Sequence, residues 1–394
     1  MSQAETPNQI RKFNPQSLSN LAWAFAALGV AAPSLFKDIA AEAHAQIREF
    51  NPANLSILAW AFAKLGILAP WLFEAVAAES ASKIRDFSPQ NLANLTWAYA
   101  TMGNLAPRLF EAVAAEFPAE AQKFMSKFKP QGLSNVAWAF ATLGIKAPRV
   151  FEAILRAVPA AYSQLDQHEL TQFHQVLLFL TYEAPELRLA PLLRDFRAEL
   201  RAAFVADEPS PSRTQGDVAA ALERTGWMHE FEHVTPEGLS LDMAQPASKV
   251  AVEFDGPTHY LGDLGSAEYC LHGRFFFKNR LLQKLGWKVI HVPYFEWRRL
   301  ESPSAQEDYL AQLLAPFMCV AFSVFEPSAG RNPHWHSRRR SPTAHDSVIS
   351  PCSSRVGRLE YDDGQREDPE LLDVEEVGDV EEDEDEENLP GTVS

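Results

Sequence analysis

Small polar side chains recur at two fixed places in the first half of the chain, the fifth and eighth residues counted from a recurring phenylalanine. The hydrogen-bonding members of these two sets are Ser17, Asn20, Asn54, Asn91, Asn94, Asn135 and Gln172. Because the two places are three residues apart, we expect them to share one helix face, opposite the apolar stripe. Amides on such a face can pair with base edges, as in proteins that read one RNA base per helical repeat. A solvated helix face would also be polar, so the pattern leaves both interpretations open.

A repeat with spacings of 37, 37 and 41 residues must position these side chains. It is marked by a Phe-x-Pro motif followed by columns of tryptophan, glycine and proline. The markers are Phe13, Phe50, Phe87 and Phe128; Trp23, Trp60, Trp97 and Trp138; Gly29, Gly66, Gly103 and Gly144; and Pro33, Pro70, Pro107 and Pro148. A fifth, divergent unit keeps Leu165 and Pro185 in register but has Gln175 for the tryptophan and Thr181 for the glycine. Terminal repeats of a solenoid are commonly atypical.

Each unit predicts a helical hairpin. A polar residue before a proline, as at Asn14 and Pro15, is typical of a helix start, and Gly29 is suited to end that helix. Pro33 then begins a second helix. Two helices of this length cannot bury their apolar faces alone, so neighbouring units must stack. We therefore predict an all-α solenoid of five repeats over residues 13–205, with the four tryptophans in its core.

The C-terminal half predicts a small α/β domain over residues 214–322, after a linker at 206–213. Thr214 is placed to cap a helix that ends near Arg224. Runs of alternating hydrophobicity then predict three strands, a helix, a fourth strand and a last helix. The expected bounds are 227–234, 239–244 and 249–255 for the strands, 275–285 for the helix, 287–292 for the fourth strand and 306–318 for the last helix.

The repeat unit, F-x-P-x-x-L-x-N-x-x-W-A-x-A-x-x-G, resembles the octotricopeptide and heptatricopeptide repeats of organellar RNA-binding proteins. The stretch from Val252 to Tyr260, with Lys278-Asn279-Arg280 and the segment from Val292 to Trp297, resembles the RAP domain that ends many of them. The resemblance implies single-stranded RNA binding in a mitochondrion or chloroplast, for transcript processing, stability or ribosomal RNA maturation. The repeats would read bases. The RAP domain would add RNA contacts through basic and aromatic residues, for which we predict Arg280, Lys284, Trp297 and Arg298.

The RAP domain in turn resembles the core of restriction-endonuclease-like nucleases. That core holds Mg²⁺ with carboxylates on adjacent strands, followed two residues later by a lysine, and the resemblance makes Asp242 and Glu253 the metal ligands. Asp255 stands where the lysine should be, Lys278 on the next helix could supply the ammonium, and His259 could shuttle a proton. The same side chains could instead hold the domain together. With the lysine displaced, we predict binding without cleavage, and Mg²⁺ would be needed only by an active nuclease site.

Charge, cysteine content and hydrophobicity limit the kinds of function that the chain can have. The net charge is −17, but residues 358–394 carry 17 acidic side chains against two arginines, which leaves about −2 for the rest. This is not the basic field of an avid nucleic-acid binder, so recognition must depend on local contacts. We predict a disordered acidic tail over residues 323–394. Three cysteines without a pairing rhythm indicate a reducing compartment, and no apolar run is long enough to predict a membrane span.

Three hypotheses remain at the level of sequence. The chain is an organellar RNA binder, a Mg²⁺-dependent RNA endonuclease that uses Asp242 and Glu253, or a protein-binding helical scaffold. Residues 1–12 are too short and too mixed in charge for a transit peptide. At one base per repeat, five repeats would read about five nucleotides, so we also expect either a protein partner in an RNA-processing complex or a further set of repeats N-terminal to this chain.

Overall fold

The computed structural model describes residues 9–119, 128–206, 211–262 and 269–318. The first eight residues, half of the predicted linker (207–210) and the predicted acidic tail lie outside the described residues. The predictions made for those segments therefore stay predictions.

Four helical hairpins follow one another along the chain, and every one of their eight helices begins at a proline. The first helices of the hairpins are α1 (Pro15–Ala27), α3 (Pro52–Lys64), α5 (Pro89–Thr101) and α7 (Pro130–Thr142). The second helices are α2 (Pro33–Ala45), α4 (Pro70–Ser82), α6 (Pro107–Ala119) and α8 (Pro148–Ala161). The glycine column ends the first helices in the left-handed conformation, with φ between 63° and 72°. The predicted all-α solenoid is confirmed.

Phenylalanines and a tyrosine, rather than the tryptophans, form the aromatic ladder that joins successive repeats. In each of the first three repeats, a ring on the second helix packs edge-to-face against a ring on the next first helix. The pairs are Phe36 with Phe62 (4.9 Å between centroids), Phe73 with Tyr99 (5.1 Å) and Phe110 with Phe140 (5.1 Å). All six rings are almost completely buried. They supply the inter-repeat core for which the tryptophans were predicted.

The fifth repeat departs from the hairpin pattern after its first helix, α9 (Gln167–Leu178). Thr181 replaces the helix-ending glycine, and a threonine resists the left-handed conformation. The chain instead continues through a π-helical turn, Phe179–Glu183. Pro185 begins only a short 3-10 turn, and the next α-helix is α10 (Arg197–Phe204). The expectation that Pro185 begins a regular second helix is therefore wrong.

A four-stranded sheet with helices forms the second half of the described chain, and the predicted α/β fold is confirmed. Its elements are α11 (Arg213–Arg224), β1 (Glu230–Val234), β2 (Ser240–Gln245), β3 (Val250–Asp255), β4 (Tyr260–Gly262), β5 (Tyr269–Leu271), α12 (Gly273–Lys284), β6 (Lys288–Pro293), α13 (Tyr294–Trp297) and α14 (Pro303–Met318). The strand order is β1-β2-β3-β6, with β3 and β6 parallel and the other neighbours antiparallel.

Two local details of this domain differ from the sequence-based expectation. The cap of α11 is Ser212, whose hydroxyl accepts from the Gln215 N–H in a capping box, and not Thr214. A hairpin of β4 and β5 lies between β3 and α12 and was not predicted. Its strands have three residues each, too few for an alternating pattern to be recognised.

The α/β domain packs against the turns that join the two helices of successive repeats. The Gly262 N–H donates to the Gly66 carbonyl over 3.2 Å. At Gly273, a Cβ atom would stand 1.8 Å from the Ala100 carbonyl oxygen, so only glycine fits this close approach of two backbones. Arg280 donates to the Ala141 and Thr142 carbonyls over 3.0 and 2.7 Å. The domain therefore contacts three of the turns that carry the glycine column.

The fifth repeat holds the turn between β1 and β2. His174 Nε2 lies 2.8 Å from the Glu237 carbonyl, and the Tyr182 hydroxyl donates to the Glu237 carboxylate. The Arg201 guanidinium donates to the Pro236 carbonyl over 2.9 Å. This repeat therefore meets the α/β domain in place of another repeat, which accounts for its divergent sequence.

Two expectations from composition can be compared with the structure. In the described part of the chain, no helix is long and apolar enough to cross a membrane. Cys270 on β5 is disulfide-bonded, although the cysteine spacing shows no pairing rhythm.

Candidate nucleic-acid interface

One stripe of each first helix faces away from the aromatic ladder. It contains the fourth, eighth and eleventh residues of each repeat, counted from the opening phenylalanine. At roughly 100° per residue these places cluster within a narrow sector, about half a turn from the ladder rings. We call this set the outer stripe. Its members are Gln16, Asn20 and Trp23; Ala53, Ile57 and Trp60; Gln90, Asn94 and Trp97; Gln131, Asn135 and Trp138; and His168, Gln172 and Gln175.

The eighth residues supply a column of amides on the outer stripe. Asn20 is exposed, and Asn94 and Asn135 are half-buried. Asn94 accepts a hydrogen bond from the exposed Gln90, one turn earlier, over 3.0 Å. The structure thus places three of the predicted RNA-binding amides on one accessible face. It also adds Gln16, Gln90 and Gln131, all exposed, which the sequence interpretation missed.

The fifth residues do not share this face, so the prediction that they lie opposite the apolar stripe is wrong. They lie about a quarter turn away, towards the first helix of the preceding repeat. Asn54 is only 7% exposed, and its carbonyl accepts from the Ser19 hydroxyl of the preceding first helix. Ser17 and Asn91 are half-buried, and their N–H groups bond to the helix caps Asn14 and Ser88. Asn54 is therefore not accessible to a base.

Between the fourth and fifth repeats, side chains of the outer stripe hydrogen-bond to one another. Gln172 is 3% exposed and donates to Asn135 Oδ1 over 2.9 Å. The Trp138 indole N–H donates to Gln175 Oε1 over 2.6 Å. The prediction that Gln172 contacts RNA is therefore contradicted by its burial. The open part of the stripe is the part formed by the first three repeats.

The tryptophan column lies on the outer stripe, and its burial changes along the array. Trp23 is 51% exposed, Trp60 and Trp97 are half-buried, and Trp138 is 6% exposed. The prediction that all four tryptophans are core residues is therefore wrong for Trp23. It holds only in part for Trp60 and Trp97, which are half-buried. The signal that could have found this was the helical spacing, since the eleventh residue is three after the eighth and shares its face.

A row of ionisable side chains crosses one face of the four-stranded sheet. Asp242 on β2 lies beside Glu253 on β3, since Met243 pairs with Val252, and Glu253 pairs with His291 on β6. Asp255 shares this face two residues after Glu253. The sheet therefore brings together the carboxylates predicted from the sequence and adds His291, which the sequence interpretation did not single out.

Lys278 on α12 covers the carboxylates of this row. Its Nζ lies 2.7 Å from Oε2 of Glu253, whose side chain is 5% exposed. Burial disfavours the charge of Lys278, but the Glu253 and Asp242 carboxylates outweigh it and raise the pKa of the ammonium. Burial first, and then the charge of Glu253, raise the pKa of Asp242 to about 8. Lys278 and Glu253 therefore form a buried ion pair beside a carboxyl whose pKa is raised.

Asp255 lies between two histidines. Its carboxylate is 3.0 Å from His291 Nδ1 and 3.3 Å from His259 Nδ1, and it also accepts from the Tyr260 hydroxyl. Burial opposes the charge of Asp255, but the hydrogen bonds from both imidazoles outweigh it and lower the pKa of the carboxyl. In return, the same contact raises the pKa of His291 against its burial. His259 also stacks on the Phe275 ring, 3.8 Å between centroids.

These carboxylates do not fit a resident Mg²⁺ ion. Asp242 uses Oδ2 to accept the Phe254 N–H over 2.8 Å, and Glu253 uses Oε2 for Lys278. Within the described ranges, no group of three or more His, Cys, Asp or Glu side chains is arranged to hold a metal ion. No hydrolytic step follows from this cluster, whose described contacts hold β2, β3, β6 and α12 together.

Of the four RNA contacts predicted for the α/β domain, two are engaged within the protein and two are exposed. Arg280 is committed to the solenoid, because its guanidinium pairs with Glu183 over 3.0 Å as well as with two carbonyls. Trp297 is 4% exposed and belongs to the core of the domain. Both predictions are therefore contradicted. Lys284 and Arg298 are exposed, and they remain available to a ligand.

Comparison with known proteins adds three findings. Residues 252–313 match the family model of the RAP domain. Residues 3–190 match the family described as RNA-editing substrate-binding complex 6 protein. A chloroplastic RAP domain-containing protein of Oryza sativa subsp. japonica is 32% identical over 105 residues, which are 26% of this chain and 15% of the rice protein. The chain thus spans a small part of that curated relative's length. The predicted resemblance to RAP proteins with helical repeats is confirmed, while the octotricopeptide name stays a prediction.

Proposed function

We propose, from the likeness of residues 252–313 to the RAP domain and of residues 3–190 to an RNA-editing substrate-binding family, that the protein binds single-stranded RNA in an organelle. The rice relative is chloroplastic, which favours an organelle without deciding between chloroplast and mitochondrion. The bound RNA would be a substrate for processing, stabilisation or maturation carried out by other proteins. The ion pair of Glu253 with Lys278 supports binding without cleavage.

The observation that carries the proposal is the amide column on the outer stripe. Asn20 and Asn94 occupy the same place in the first and third repeats, and the exposed Gln16 and Gln90 stand one turn before them. A carboxamide offers both a donor and an acceptor, so it can pair with the edge of an unpaired base. The Gln–Asn pair occurs in the first, third and fourth repeats, whereas the second repeat has Ala53 and Ile57. A pair that recurs at equivalent places of several hairpins suits a ligand that also repeats, such as a single nucleic-acid strand.

A column of arginines supplies the positive charge that a phosphate backbone requires. Arg11, Arg48 and Arg85 lie two residues before successive opening phenylalanines, and all three are exposed. Arg85 pairs with Glu116 over 2.9 Å, but its side chain is 84% exposed, so this pair is weak and easily exchanged for a phosphate. The near-neutral charge of the domain as a whole is therefore compatible with RNA binding along this edge.

A protein partner is part of the proposal because the open outer stripe is short. Three open repeats would contact about three bases at one base per repeat, too few to define one site in a transcriptome. The matched family is named for a complex that binds RNA-editing substrates, which supports a role as one subunit of an assembly.

A salt titration of RNA binding tests the proposed function. The full chain should bind labelled single-stranded RNA, with an affinity that falls as salt rises. The double variant Arg48→Gln, Arg85→Gln should reduce the slope of log K against log salt by about 1.4, since each phosphate contact to a single strand contributes about 0.7. The control is Arg156→Gln, an exposed arginine of α8 that also pairs with a glutamate and should leave the slope unchanged.

Two outcomes would overturn the proposed function. One is a wild-type chain that does not retard RNA even at low salt, which would favour the protein-binding scaffold. The other is a binding affinity that does not respond to salt.

A further inference from the structure

We propose that the tryptophans of the open outer stripe, Trp23, Trp60 and Trp97, are a stacking platform for successive bases of a single RNA strand. This inference rests on the proposed function and specifies how the strand is held. The sequence alone assigned these residues to the core, and only their placement in the structure suggests another role.

Trp60 and Trp97 pack partly against the solenoid core, but a separate aromatic ladder also joins the repeats. The edge-to-face ladder of Phe36 with Phe62, and of its equivalents, already connects each second helix to the next first helix. Trp23 leaves half of its surface in solvent, and Trp60 and Trp97 are only partly covered. A large indole kept at the same surface position in successive repeats is therefore available to a ligand.

An amide and an indole three residues apart on one helix can contact the edge and the ring face of one nucleobase. Trp23 follows Asn20, and Trp97 follows Asn94, by three residues, which is about 4.5 Å along the helix on the same face. An indole offers a flat ring for the face of a base, and the neighbouring amide offers hydrogen bonds to its edge. In the second repeat the amide is replaced by Ile57, but the exposed Lys64 stands one turn after Trp60. Stacking would thus occur in all three repeats, whereas edge recognition would occur in two.

The platform ends where side chains of the fourth and fifth repeats satisfy one another. Trp138 is buried, and its N–H is bonded to Gln175, while Asn135 is bonded to Gln172. The inferred footprint is therefore about three nucleotides at one base per repeat, on the first three repeats. The alternation of rings with amides and a lysine favours a polar, aromatic ligand over an apolar peptide helix.

A tryptophan elsewhere on the solenoid provides a matched control. Trp71 on the second helix α4 is 44% exposed, close to the exposure of Trp23, and its ring meets His44 at 5.2 Å. It lies outside the outer stripe. Replacing either residue by alanine removes an exposed indole, so any general effect on the fold should be similar in the two variants.

The test is an anisotropy titration of a fluorescein-labelled oligouridine with the full-length variants. Trp23→Ala should weaken binding roughly 5- to 100-fold, as expected for the loss of one base–aromatic stack. Trp23→Phe, which keeps a flat ring, should recover most of the affinity. Trp71→Ala should stay within about twofold of the wild type. An abasic nucleotide in the oligomer should weaken wild-type binding but add little to the Trp23→Ala defect.

The inference is overturned if Trp23→Ala and Trp71→Ala bind RNA equally well while the wild type binds. That result would leave the proposed function standing. A wild type that does not bind RNA would instead remove the proposed function itself. Equal weakening by Trp23→Ala and Trp23→Phe would also contradict stacking, because phenylalanine retains the ring.

Discussion

Replacing Lys278 by methionine is expected to lower the free energy of unfolding by about 3–5 kcal/mol, the usual cost of removing one partner of a buried ion pair. The Lys278 ammonium lies 2.7 Å from the almost completely buried Glu253 carboxylate. Methionine keeps most of the volume of the lysine stem but leaves the Glu253 carboxylate without its cation. Chemical denaturation at pH 7 measures the change.

Two companion variants separate the ion pair from a general effect on the helix. Lys284→Met alters an exposed lysine in the last turn of the same helix, α12, and should change stability by less than about 0.5 kcal/mol. The double variant Lys278→Met, Glu253→Gln removes both charges and should recover much of the lost stability. Equal costs for Lys278→Met and Lys284→Met would show that the pair does not stabilise the domain.

Replacing Asp242 by asparagine is expected to stabilise the protein at pH 8 relative to its effect at pH 5. The pKa of Asp242 is raised to about 8 in the folded protein, whereas an unfolded aspartate titrates near pH 4. Between these values the folded state binds one more proton than the unfolded state, so stability falls as the pH rises. Asparagine cannot titrate, and the variant should lose this slope, which is at most about 1.4 kcal/mol per pH unit for one proton.

Denaturant midpoints measured from pH 5 to pH 8 would check this expectation. Asp217→Asn, at an exposed position of α11, is the control and should keep the wild-type slope over this range. If Asp242→Asn has the same pH dependence as the wild type, Asp242 is not the group that holds the extra proton.

The sequence was sufficient for the architecture because its signals are periodic. Proline, glycine and phenylalanine columns at one spacing define the hairpins, and alternating runs define the sheet. The adjacency of Asp242 and Glu253 followed from the order of the strands. The prediction that the fifth residues of the repeats face outwards was wrong by one position along the helix. The fifth residue, as at Asn54, lies against the preceding repeat, whereas the fourth, as at Gln16, faces outwards.

Contacts between distant parts of the chain could not be predicted in the same way. Arg280 carries the positive charge that is typical of an RNA contact. It lies 97 residues from its partner Glu183, however, and no periodic pattern links the two. Trp138 is hydrogen-bonded to Gln175, which replaces the tryptophan of the fifth repeat. Only the folded structure shows that these two residues are partners. The fifth repeat diverges because it holds the α/β domain, which the repeat pattern does not reveal.

Crosslinking the full chain to single-stranded RNA with ultraviolet light, followed by mass spectrometry of the crosslinked peptides, tests the proposed RNA interface most directly. We expect crosslinks on the first helices α1, α3 and α5, at Trp23 and Asn94 among others, and fewer on the second helices α2, α4 and α6. Trp71 should remain without a crosslink although it is similarly exposed. Crosslinks confined to the second helices, with none on the outer stripe, would contradict the account.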